Sequence, residues 1–293
     1  MSPANQWKSL LGLLWLTLSE FHRHWRQPRK LQNLPLVVVG SLRSGGGGKT
    51  PAVSWLAEHL PEAAILVHPT PDEEILLRDQ FGDRVFADHS FPRAWGRAQH
   101  AGFPFAICDG GFQDPRLLGA VKLLLWNALP PRSLSGLLPC GPFRELALAA
   151  TRADHVLVRQ DLLPPSGCAT ISDYRWDLRL PKGMEAGPCL LACGVGDPEG
   201  VRKDLEKLGC EVVGEHVVGD HRPFSRRTIK RLSRKFPGIP WVGTAKDRPR
   251  WPAQAPELRI LERDWAPQHP ETLLSWIRQK LSERLPAITS EKE

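Results

Sequence analysis

Leu36–Pro51 reads LVVVGSLRSGGGGKTP, an apolar run that ends in glycines and is followed at once by Lys49 and Thr50. A continuous Val/Leu run of this kind is the pattern of a strand buried on both faces of a parallel sheet. A glycine-rich turn after such a strand lets backbone N–H groups curl around phosphate oxygens at the start of the next helix. The spacing assigns Gly45, Gly46, Gly47 and Gly48 to that cradle, Lys49 to the outer phosphates, and the Thr50 hydroxyl to Mg2+. The pattern G-x-x-x-x-G-K-[ST] is not met in full, because Arg43 stands where its first glycine belongs. The downstream residues still support a strand–loop–helix unit, since Val53, Leu56, Ala57 and Leu60 recur at helical spacing.

From this unit the same alternation extends along the chain. Ala64–Val67 is a short strand leading into Asp72, Glu73 and Glu74, at the strand end where open α/β sheets place their ligands. Phe103–Cys108 is a further buried strand, and Asp109 follows it in a Walker-B-like position from which a carboxylate can hold Mg2+. Val121–Trp126 and Asp154–Arg159 complete the first half. Strands alternating with helices predict an α/β fold, a P-loop NTPase-like doubly wound and mostly parallel sheet. The composition shifts past Pro164-Pro165-Ser166-Gly167, placing a boundary near residue 165 and a smaller α/β domain over 166–293. In that half Thr170–Leu180 alternates like an exposed antiparallel strand, Ser225–Lys235 is a basic helix, and Pro270–Leu285 is amphipathic with a disordered tail after Pro286.

Residues 1–34 form a separate N-terminal element ahead of the 35–165 domain. Trp7, Leu10, Leu11, Leu14, Trp15, Leu18 and Trp25 recur at helical intervals, with Arg23, Arg26, Arg29 and Lys30 following. The apolar stretch falls short of the ~20 residues a bilayer span needs, and its charges lie on the wrong side for a cleavable signal. An amphipathic helix lying in a membrane interface fits it, the alternative being a helix packed on the protein's own core.

The 293 residues are 41% hydrophobic and 24% charged, a globular balance, with a net charge of +7 and a pI near 9.3 that suit an anionic partner. Nucleic acid, anionic lipid and a phosphorylated substrate all qualify, but the cations are not interleaved with aromatics into a nucleic-acid platform. The six cysteines, at 108, 140, 168, 189, 193 and 210, form no C-x-x-C pair and read as reduced and structural.

Taken in order, the motifs resemble those of the lipid A disaccharide 4'-kinase family. Val39-Gly40-Ser41-Leu42 through Gly46-Gly47-Gly48-Lys49-Thr50-Pro51 is similar to V-G-N-L-T-x-G-G-T-G-K-T-P, and Asp72-Glu73 lies where the family has G-D-E-P. Asp109 through Gln113 resembles D-D-G-F-Q-H, and Leu138–Glu145 resembles L-P-A-G-P-L-R-E. Gly194–Glu199, Asp220–Phe224 and Thr244–Asp247 are similar to G-I-G-N-P-E, D-H-H-x-F and T-E-K-D. The chain departs from these patterns at Gly110 (second aspartate), Asp114 (histidine) and Ala245 (glutamate), and S-R-G-Y-G has no counterpart.

The resemblance implies an ATP- and Mg2+-dependent kinase acting on the 4'-hydroxyl of lipid A disaccharide 1-phosphate at the cytoplasmic face of a Gram-negative inner membrane. It implies Asp72 as base supported by His221, Lys49 on the transferred phosphate, Thr50 and Asp109 on the metal, and Arg144 and Glu145 on the substrate side. Sugar substrate and ATP would meet in a cleft between the two domains. The alternative carried by the altered motifs is a relative that binds nucleotide or lipid without turnover.

Overall fold

The computed structural model describes residues 3–25, 34–117, 119–219 and 222–284. Arg26, Arg29, Lys30, His221 and the tail after Pro286 lie outside the described residues. Helix α1 (Pro3–Trp25) is followed by β1 (Leu36–Ser41), α2 (Lys49–His59), β2 (Ala63–Val67), α3 (Pro71–Phe81), β3 (Val85–Ala87), α4 (Phe91–His100) and β4 (Phe105–Asp109). Then come β5 (Val121–Trp126), β6 (His155–Arg159), β7 (Ile171–Arg179), β8 (Pro188–Cys193), α5 (Pro198–Lys207) and β9 (Glu211–Val217). The chain continues through α6 (Arg226–Lys235), β10 (Trp241–Gly243), β11 (Leu258–Ile260), β12 (Glu262–Pro267) and α7 (Pro270–Ser282).

Eight strands form one sheet in the order β12-β7-β6-β5-β1-β4-β2-β3, and four form another in the order β11-β10-β8-β9. The doubly wound α/β arrangement expected from the sequence is present. All six residues of β1 are buried, and β1 pairs in parallel with β4 on one side and β5 on the other. The chain runs outward from β1 to β2 and β3, returns to β4, and crosses to β5. This reversal makes the carboxyl end of β1 the switch point where such sheets bind ligands.

Two compact units divide the described residues. The second comprises Pro71–Leu76 and Trp176–Trp265, and the first holds the rest. The division expected near residue 165 is therefore displaced. Strand β7 pairs in parallel with β6, not antiparallel, because its polar–apolar alternation reports one solvated face and says nothing of strand direction. Helix α7 also belongs to the first unit, burying Leu273, Leu274, Ile277 and Leu281.

Helix α1 combines features of both readings of the N-terminus. Its Gly12 closes onto the backbone of Leu134, Trp15 Nε1 donates to the Arg144 carbonyl at 2.9 Å, and Trp15 and Leu16 pack on the core. Positions 12, 15 and 16 are one helical stripe. The remaining surface carries Trp7, Leu10, Leu11, Leu13, Leu14, Leu18, Phe21 and Trp25, all exposed, Trp7 and Trp25 at 69% and 77%.

At the opening of β6, the buried ring of His155 holds Ser172 Oγ at 2.7 Å through Nε2 and meets Trp276 edge-on at 4.8 Å. Burial lowers its pKa to about 4. A lowered histidine pKa means that the unfolded chain takes up the proton first as pH falls, so stability is present above the unfolded value near 6.5 and is lost toward 4. We expect a loss of about 2–3 kcal/mol across that window. Urea titrations of the wild type and His155→Gln as a function of pH check this, the variant showing a flatter profile between pH 6.5 and 4.

Candidate nucleotide-binding site

Three neighbouring strands deliver their carboxyl ends to one place: Ser41 ends β1, Asp109 ends β4, and Asn127 follows β5. Between Ser41 and α2 the loop turns through Gly45, Gly46 and Gly48, at φ +73°, +60° and +66°, a region an L-side chain rarely enters. Arg43 takes a different part in the loop. It forms an antiparallel bridge with Phe143, while Ser44 N donates to the Pro142 carbonyl at 2.7 Å. The position that lacks the expected glycine is thus held in extended pairing, where glycine's freedom is not required.

No side chain caps α2, whose N-cap is Gly48, and no acid occupies its first turn. Its leading N–H groups and positive dipole end are left for an anion. The Lys49 ammonium folds back over the loop, 3.6 Å from where a Cβ on Gly47 would stand. Thr50 Oγ1 donates to Asp109 Oδ2 at 2.8 Å, with both residues buried. The P-loop and Walker-B-like residues singled out in the sequence therefore meet in the first unit.

The sequence reading missed Asn127. Its Oδ1 accepts from Ser41 Oγ at 3.3 Å and its Nδ2 donates to the Gly46 carbonyl at 3.3 Å, tying the loop to β5. The available signal was its position directly after a buried strand on the ligand edge. Gln113 makes a second tie, its Nε2 donating to the Ser41 carbonyl and to Glu145 Oε2, both at 3.1 Å. Glu145, expected on the substrate side, is buried, and Arg152 Nη2 donates to its two oxygens at 2.8 and 2.7 Å. Arg152 also lies over the Phe112 ring, which the buried Lys122 approaches as well. Burial, with Arg152 nearby, pushes the Lys122 ammonium below the ordinary lysine range. Arg144 is exposed, its N–H donating to Leu42 O at 2.8 Å.

Two departures from the family patterns have local causes. Gly110 sits at φ +104°, a conformation that would strain the aspartate of the D-D pair. Asp114 receives two parallel hydrogen bonds from Arg116, Nε to Oδ1 at 3.0 Å and Nη2 to Oδ2 at 2.7 Å, and so braces its own turn.

Within the second unit, Asp72 follows Pro71 in the first turn of α3, and its side chain lies outside the described atoms. The adjacent Glu73 is held by Lys246 Nζ at 2.5 Å. Asp247 is fully buried and accepts from Thr244 N, Thr244 Oγ1, Gly194 N and Arg250 Nη2. Burial raises its carboxyl pKa while the Thr244 and Gly194 hydrogen bonds and the Arg250 charge pull the other way. Thr244-Ala-Lys-Asp247 and the Gly194 turn are thereby two sides of one staple.

The model of the tetraacyldisaccharide-1-P 4'-kinase family matches residues 9–69 and 66–282. The chain belongs to this family. Its members are phosphotransferases acting on a hydroxyl group. Among its relatives, a tetraacyldisaccharide 4'-kinase of Pseudomonas entomophila is 30% identical over 251 residues, covering 73% of this chain and 72% of its own. That of Halorhodospira halophila is 26% identical over 258 residues, covering 78% and 76%. A crystal structure of LpxK from Aquifex aeolicus, described as an "apo" form in complex with ATP, superposes with a TM-score of 0.60 at 19% identity, covering 95% of this chain and 98% of that one. It shows the same fold.

Removing the Arg152 guanidinium leaves a buried carboxylate without its main partner, and stranding a buried charge in this way costs about 3 kcal/mol. Arg152→Met is expected to lose that much in denaturant titration, and the double variant Arg152→Met/Glu145→Gln to recover at least half. Equal losses in the two would show that Glu145 does not depend on Arg152.

Proposed function

We propose that the protein transfers the γ-phosphate of ATP to the 4'-hydroxyl of tetraacyldisaccharide 1-phosphate, in lipid A biosynthesis. The observation that carries this reading is the junction of Lys49, Thr50 and Asp109 at the carboxyl edge of β1, in a chain of this kinase family. Phosphoryl transfer asks little covalent chemistry of the protein. It needs the phosphates positioned, their charge neutralised and the attacking hydroxyl deprotonated.

The glycine-loop amides and the start of α2 orient the phosphate oxygens, and Lys49 neutralises charge on the transferred group. Thr50 and Asp109 fit Mg2+. Adjacent ligands of an octahedral Mg2+ stand roughly 2.9 Å apart, and their two oxygens are 2.8 Å apart. A Mg2+ held by Thr50 and Asp109 would supply neutralisation of phosphate charge. One carboxylate and one hydroxyl suffice, because Mg2+ commonly takes its remaining ligands from phosphate and water. Asp72 takes the hydroxyl proton, with His221 in support, and the exposed Arg144 pairs with the substrate 1-phosphate. The local fit of Gly110 and Asp114 gives no preference to a relative without turnover.

Phosphate transfer from ATP to purified tetraacyldisaccharide 1-phosphate tests the reading. Lys49→Ala should lower turnover by at least ~100-fold, the cost of losing a transition-state charge clamp. Asp109→Ala should raise the Mg2+ requirement, and Asp72→Asn should depress turnover at unchanged ATP affinity. Near-normal turnover in Lys49→Ala would remove the basis of the proposal.

The acceptor also has to be reached. Each acyl CH2 drawn from a bilayer costs about 0.8 kcal/mol, so the enzyme goes to the lipid. No described helix is long and apolar enough to cross a membrane. The exposed apolar surface of α1 supports peripheral docking at the cytoplasmic face of the inner membrane. Replacing Leu10, Leu14 and Leu18 by Gln should weaken vesicle binding by more than ~100-fold, each buried leucine contributing about 1.5–3 kcal/mol. Cosedimentation equal to wild type would place the membrane contact elsewhere.

A further inference from the structure

Helix α6, RRTIKRLSRK, contains no acid. Ile229 and Leu232 are buried beneath it, and Arg226, Arg227, Lys230, Arg231, Arg234 and Lys235 are all exposed. Like charges meet at i,i+4 in the pairs 226–230, 227–231, 230–234 and 231–235, and each such pair destabilises a helix by about 0.2–0.5 kcal/mol. Arg226 and Arg227 add to this by standing at the positive dipole end.

The helix dipole favours Arg234 and Lys235 in the last turn, but no carboxylate relieves the repulsion among the described residues. None of the six makes an ion pair with a described carboxylate, and the side-chain partners they do have are neutral, Gln254 Oε1 for Arg226 and the Phe236 ring for Lys235. Helix α5 shows the ordinary solution in the same unit, where Glu199 faces both Arg202 and Lys203 and Asp204 faces Lys207. An uncompensated cationic face of this kind suits a partner outside the chain that bears the opposite charge.

We propose that the outer face of α6, opposite Ile229 and Leu232 and formed by Arg227, Lys230, Arg231 and Arg234, docks on the anionic headgroups of a phospholipid bilayer. The choice of a bilayer over other polyanions rests on the membrane reading above, which gives the chain an acylated substrate and an apolar helix α1 exposed for insertion. Peripheral binding that relies on one apolar element is marginal, and a second, electrostatic element makes it stable. Cations near a charged bilayer contribute roughly 1 kcal/mol apiece and act without inserting.

The test uses the full chain with Arg227→Gln, Arg231→Gln and Arg234→Gln combined, a change between residues of similar helix propensity. Binding to phosphatidylcholine–phosphatidylglycerol vesicles should fall roughly 100-fold, and binding to pure phosphatidylcholine vesicles should not change. The melting temperature should stay equal or rise, because repulsion inside the helix is removed. High salt should weaken the wild type toward the variant. Binding of the variant to anionic vesicles at wild-type strength would overturn the proposal, as would tighter binding of the wild type to mixed-sequence duplex DNA than to those vesicles at the same salt. The α1 variant separates the two readings, since loss of its leucines weakens binding to both vesicle types while the α6 effect is confined to the anionic one.

Discussion

The parallel pairing of β1 between β4 and β5 is the constraint from which the site follows. Both of its edges are taken up by backbone hydrogen bonds and both of its faces are buried, so the chain leaving Ser41 can only turn at the carboxyl edge of the sheet. Both flanking strands end beside its carboxyl half, Asp109 at the close of β4 opposite Val39 and Leu125 near the close of β5 opposite Ser41. That stagger leaves Asp109 within reach of Thr50 and Asn127 within reach of the loop carbonyl of Gly46.

Holding a glycine loop open for an anion has a conformational cost, since glycines are the residues that lose most freedom on folding. The structure offsets it with ties that carry no side chain of the loop itself. Asn127 and Gln113 bond to loop or strand carbonyls, and the β-bridge at Arg43 fixes the loop's entry. Behind Gln113 the buried Glu145 carboxylate, paired with the solvent-exposed Arg152, sets the amide's direction. An ion pair with one buried member is poor evidence for stability but a good device for orientation, and its place here, one side chain removed from the glycine loop, is consistent with that use.

Much of this was legible in the sequence because it rests on local pattern. Continuous apolar runs marked the buried strands, and the glycine run with Lys49 and Thr50 marked the loop. Asp109 could be paired with it because both follow buried strands. What escaped depends on contacts distant in sequence. Arg152 lies in a short turn with nothing to distinguish it from a solvated arginine, and its role exists only because Glu145 and Phe112 converge on it. The direction of β7 escaped for a different reason. Alternation reports which face is wet, and the parallel register with β6 is decided by where the chain returns. The altered family positions were legible as departures but not as accommodations, since the φ of Gly110 is a property of the folded backbone alone.

The charge of +7 is likewise not spread evenly in its effect. Arg116, Arg152, Arg250 and Lys246 are each matched to a carboxylate and hold backbone turns or neighbouring side chains in place. Such cations fold the protein and are not available to anything else. The cations of α6 have no such partner among the described residues, and Lys49, at the start of a helix left uncapped and without an acid in its first turn, is aimed at a loop that lacks negative charge of its own. An excess of positive charge by itself says only that some anion is favoured. Its separation into internally matched pairs and outward unmatched groups points to two different anions: a compact one at the carboxyl edge of β1, where backbone donors converge with a single ammonium, and an extended one along α6, where the groups are spaced one helical turn apart and no donor converges. A phosphate ester suits the first geometry and a charged surface suits the second, and the proposed transfer of phosphate to a membrane lipid would use both.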